Sequence, residues 1–128
     1  MQSFQSKACR ILWLVLLVLV LLESLLPYGT PSLARDYGDL ALHFACFFLL
    51  AFLPLYDFRH VRQGLFVALL MAITGAAIEM VQLYMPGRDC SPADIFTNNL
   101  GVALGVLAGA VFRMRKKVKE EDHGAQQC

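Results

Sequence analysis

With 58% of its 128 residues hydrophobic and only 16% charged, the chain carries more apolar surface than one small soluble core can hide. That balance excludes an ordinary water-soluble enzyme domain and makes a bilayer the expected solvent. The formal net charge of +1 says little, because the placement of the charges carries the information.

A spanning helix needs about 20 mostly apolar residues. The first candidate, residues 11–26, follows Lys7 and Arg10. Its basic start, and the Ser32-Leu33-Ala34 triplet beyond it, imitate a secretory signal. Ala34 lies well past the apolar run, with Pro27 and Pro31 between, so a retained anchor is expected. The second candidate, 40–56, is short, but Tyr37 and Tyr56 can anchor at the interfaces and extend the match, as Trp13 and Tyr28 can for the first. The third covers 63–85 and ends in a hairpin whose Pro86-Gly87 pair reads as a turn. Ser91 is the expected N-cap of the fourth, 93–112, with Pro92 at the first helical position. The run after Phe112 reads as a topology signal on a frayed tail that ends in Glu120, Glu121 and Asp122. Together these segments predict an all-α membrane protein, one domain over residues 1–128, built as a four-transmembrane-helix up-and-down bundle.

Nine basic residues, Lys7, Arg10, Arg59, Arg62, Arg113, Arg115, Lys116, Lys117 and Lys119, fall on one side of this topology, against Arg35 and Arg88 on the other. The positive-inside rule then puts both termini in the cytoplasm of a multi-pass plasma-membrane protein. Cys9, Cys46, Cys90 and Cys128 lack metal-ligand spacing and read as unpaired thiols. Neither a metal nor a cofactor is expected.

Polar residues inside the spans gather at one end of each: Glu23, His43, Glu79, Gln82, Asp94 and Asn98. Because antiparallel spans alternate in direction, these positions converge near one surface. Helical spacing aligns Ala72, Gly75, Glu79 and Gln82 on one stripe and Asp94, Asn98, Gly101 and Gly105 on another, and the two stripes are expected to face each other. Glu79 and Asn98 come out level, roughly 8–9 Å below the outer end. Gly101, Gly105 and Gly109 read first as a close-packing surface. An intramembrane carboxylate is expensive, roughly 2.5–3.5 kcal/mol on insertion scales, and by default marks a functional site. Glu79 pairing with Arg88, Asn98 as a plain interhelical cross-link, His43 as a lone interfacial histidine and a snorkelling Glu23 are the structural alternatives. Asp39, one turn before His43, could orient its ring.

The pattern Glu79-x-x-Gln82-x-x-x-Pro86-Gly87-Arg88, followed by Asp94-x-x-x-Asn98-x-x-Gly101-x-x-x-Gly105, resembles the VanZ-like family of bacterial membrane proteins, and Asp39-x-x-x-His43 resembles its second motif. The likeness covers roughly residues 36–109. Family members often carry a lysine after the aspartate of the second motif, where this chain has Leu40. The resemblance implies a small polytopic protein associated with low-level resistance to teicoplanin, a lipidated glycopeptide, and it names no biochemical activity.

The expected function is therefore binding. His43, Glu79, Gln82, Arg88, Asp94 and Asn98 form an outward-facing site for the headgroup of a cell-envelope lipid, a lipid-linked envelope precursor or a lipidated glycopeptide antibiotic. Arg88 can present a planar fork to phosphate or carboxylate, and the first turn of the fourth helix offers backbone N–H groups. Two other classes compete: an enzyme doing acid/base chemistry on an envelope lipid with Glu79 and His43, and a structural subunit with membrane-protein partners. No nucleophile motif supports the enzyme, no catalytic residue is assigned, and no nucleic-acid partner is expected.

Overall fold

The computed structural model describes residues 6–26, 33–86 and 91–126, and four helices account for almost all of them: α1 (Lys7–Leu25), α2 (Leu33–Asp57), α3 (Val61–Gln82) and α4 (Pro92–Gln126). All four are long and apolar enough to cross a membrane. Large apolar side chains such as Leu19, Leu69, Ile73 and Leu107 remain exposed on every helix. That surface suits lipid tails and would be untenable in water.

Helix ends differ from the expected spans for local reasons. Ser6 caps α1, its Oγ accepting from the Cys9 N–H at 3.4 Å, so the helix starts four residues before the apolar run. At the end of α3, turn bonds from Tyr84 N–H to Val81 O and Met85 N–H to Gln82 O replace the helical ladder. The segment after Phe112 is helical rather than frayed. It is rich in good helix formers and spaces Lys116 and Lys117 four residues before Glu120 and Glu121. At 35 residues α4 is about 50 Å long, so it overreaches the roughly 30 Å hydrocarbon core.

Helix α2 is the hub. Phe47, Leu50, Ala51 and Leu55 are almost wholly buried between its neighbours, and α2 packs on α1, α3 and above all α4, whereas α1 and α4 do not touch among the described residues. The up-and-down order places α2 and α4 parallel, with Gly101 against Phe44, Gly105 against Phe48 and Gly109 against Leu55. Here the expectation that the small-residue stripe would meet α3 is corrected. A β-carbon on Gly101 would lie 2.7 Å from the Phe44 carbonyl oxygen, and one on Gly105 would collide with the Phe48 carbonyl oxygen. The glycines therefore let two backbones approach where side chains cannot fit. Phe44, Phe48, Phe52 and Tyr56, spaced four apart, stack beside this seam with ring centroids 5.7–6.4 Å apart, and Phe112 of α4 meets Phe52 edge-on.

Two polar contacts repair the backbone of α2. Pro54 lies inside the helix and has no N–H to give to the carbonyl of Leu50. The indole N–H of Trp13 supplies that donor at 2.9 Å. At the C-terminus, the Arg113 guanidinium donates to the carbonyls of Leu55, Phe58 and Arg59, closing the helix end in apolar surroundings. Trp13→Phe should therefore destabilise the protein by about 1–3 kcal/mol, the cost of an orphaned buried carbonyl. Trp13→Phe/Pro54→Ala should recover much of that loss by restoring the helical bond, and equal melting of the single and double variants would remove this account.

Candidate functional site

At the end of the bundle opposite Lys7, Arg59 and Arg113, polar side chains from all four helices meet in one layer. Glu23 and Ser24 come from the last turn of α1. His43 projects from α2 with 4% of its surface exposed, and its Nε2 lies 2.8 Å from Glu23 Oε2 and 3.5 Å from Ser24 Oγ. A carboxylate partner keeps the proton on Nε2, so that nitrogen cannot also accept the serine proton. The three residues consequently form a hydrogen-bonded cluster and not a nucleophile relay, which needs the acid and the serine on opposite ring nitrogens.

Gln82 of α3, 3% exposed, donates from Nε2 to the Ser24 carbonyl at 3.1 Å. That carbonyl is among the last four of α1, which have no helical partner, so Gln82 ties the end of one helix to the side of another. One turn earlier, Glu79 is fully buried and its Oε1 accepts from Asn98 Nδ2 of α4 at 3.4 Å. This cross-link and the packing of Gly75 against Asn98 are parts of the expected α3–α4 face that the structure contains. Asn98 is 1% exposed, and its Oδ1 has no hydrogen-bond partner among the described residues.

The start of α4 is a capping box. Ser91 Oγ accepts from the Ala93 N–H at 3.1 Å, and Asp94 Oδ2 accepts from the Ser91 N–H at 3.2 Å. The Asp94 N–H bonds the Ser91 carbonyl. The N–H groups expected to be open to an anion are thus largely taken by the chain itself, and Asp94 has a local task.

Of the residues singled out from the sequence, His43, Glu79, Gln82 and Asn98 lie buried in this layer, Asp94 sits half-buried at its rim, and Arg88 and Cys90 fall outside the described residues. His43 takes its close partner from α1 and not from its own helix. Glu23 was expected at this depth but not among the ligand-binding residues, although an intramembrane glutamate is itself the signal for a site, and Ser24 carries no such signal in the sequence. Among the described residues no three His, Cys, Asp or Glu side chains converge as a metal site.

The model of the VanZ/LLP1 family matches residues 10–113, from the first turn of α1 to the arginine that closes α2. The chain belongs to the VanZ/LLP1 family. No curated protein and no solved structure matches it. The matched region takes in the whole polar layer and the glycine seam, and membership fits a VanZ-like role in antibiotic resistance.

Proposed function

We propose that this VanZ-family protein is a non-hydrolytic binder, with the polar layer recognising the headgroup of a cell-envelope lipid or a lipidated glycopeptide at the outer leaflet of the plasma membrane. The observation that carries this reading is the gathering of Glu23, Ser24, His43, Glu79, Gln82 and Asn98 from four helices at the end away from the basic residues. A bundle held together by apolar and glycine contacts has no structural need for two acids and a histidine at one depth, and each raises the cost of insertion. The basic asymmetry favours the outer side for that end. Binding is favoured over hydrolysis because Ser24, whose hydroxyl lies beside His43, meets the nitrogen that already serves Glu23.

The test combines sidedness with ligand retention. In intact cells a membrane-impermeant maleimide should modify Cys90 and spare Cys128, and native mass spectrometry of the purified protein should show a retained envelope lipid that Arg88→Ala loses. Modification of Cys128 in place of Cys90 would invert the orientation. Lipid held equally by both forms would remove Arg88 from the site.

A further inference from the structure

We infer that the ligand of the polar layer carries a primary ammonium group, so that the headgroup recognised is zwitterionic or cationic rather than anionic; this rests on the headgroup reading above and names its chemistry. The first observation is Asn98. Its amide N–H is committed to Glu79, while Oδ1 points into a buried region without a donor among the described residues. A buried acceptor left that way costs about 1–3 kcal/mol, which a ligand N–H would recover.

Several donors in the layer are already in use. Gln82 Nε2 bonds the Ser24 carbonyl, His43 Nε2 holds Glu23, and the N–H groups of Ser91 and Ala93 are taken by the capping box. The acceptor left over is Asn98 Oδ1, beside carboxylates that can each share several hydrogen bonds. Charge points the same way. Among the residues whose side chains are described, the polar ends of the helices carry Glu23, Asp39, Glu79 and Asp94 and, besides His43, no basic side chain. An ammonium brings three donors and a positive charge into such a field, whereas an isolated phosphate would be repelled. A phospholipid headgroup that ends in an ammonium meets both demands.

The experiment uses the full chain in detergent, titrated with phosphatidylethanolamine, its N-acetyl derivative and phosphatidylglycerol of the same acyl chains, and read by native mass spectrometry. Phosphatidylethanolamine should bind at least tenfold more tightly than either lipid lacking the amine. Asn98→Leu should erase that preference. Asp94→Asn keeps an oxygen for the Ser91 N–H, so it should fold normally while binding phosphatidylethanolamine several-fold more weakly and phosphatidylglycerol more tightly, a reversal that a purely structural role would not produce. If all three lipids bind alike and Asn98→Leu weakens all of them, the headgroup site stands and the ammonium inference is wrong. If no lipid is retained, or retention ignores both substitutions, the headgroup reading itself fails and takes this inference with it.

Discussion

Gly105→Leu should be the most damaging substitution in the membrane-embedded part of the chain, lowering the detergent melting temperature or preventing assembly outright. The site gives a new side chain nowhere to go. Even a β-carbon there collides with the carbonyl oxygen of Phe48 and lies 3.1 Å from the Ala51 methyl group, and both belong to the rigid middle of α2 rather than to a flexible side-chain tip. Overpacking a core costs typically 1–3 kcal/mol; here the obstacle is backbone, so α4 must move off α2 along the seam and the loss should reach or exceed that upper value. Gly105→Ala should already be harmful. Gly124→Ala makes the opposite case: beyond the adjoining backbone of its own helix, no heavy atom among the described residues lies within 4 Å of the added carbon, and an exposed helical glycine replaced by alanine gains up to about 1 kcal/mol of helix propensity. Thermal unfolding in one detergent should therefore show opposite signs for the same chemical change at the two positions. Equal melting of Gly105→Ala and the parent would show that the seam is not a close contact.

The choice of partner for that seam was the part of the fold the sequence could not reveal. Apolar length marks the spans, and Ser91-Pro92 marks a helix start whose cap is present as expected. A glycine stripe, however, carries no label for the helix it meets, since any backbone can approach it. Only the three-dimensional placement of α2 between its neighbours turns the stripe toward Phe44 and Phe48 and away from α3. The length of α4 was hidden for a different reason: hydropathy ends at Phe112, while helix propensity continues through the charged residues beyond it.

For the polar layer, depth was legible and pairing was not. Counting residues from the helix ends brings Glu79 level with Asn98, and they do meet. The same count gives no reason to join His43 to Glu23 instead of Asp39, because that depends on α1 lying against α2. Gln82 shows how a residue can look like a ligand reader in sequence and be used to hold a helix end in the structure. Trp13 reads as an interfacial anchor, yet it repairs the break that Pro54 leaves in α2.

Glu79→Gln separates a binding site from a scaffold most directly. The amide oxygen of glutamine can still accept from Asn98 Nδ2, so the cross-link between α3 and α4 survives while a fully buried ionisable group is removed. If the glutamate is kept for a ligand, folding should be unchanged or improved and binding should fall. If it is kept as half of a buried structural ion pair, removing it strands the other charge at a cost of about 3–5 kcal/mol, and Glu79→Gln/Arg88→Gln should restore stability. The decisive measurement is therefore the detergent melting curve and the lipid retention of Glu79→Gln, taken on the same preparation. The account predicts a melting temperature at or above that of the parent, with lipid retention reduced at least tenfold. A destabilised single variant, rescued by the second substitution and still holding its lipid, would contradict it.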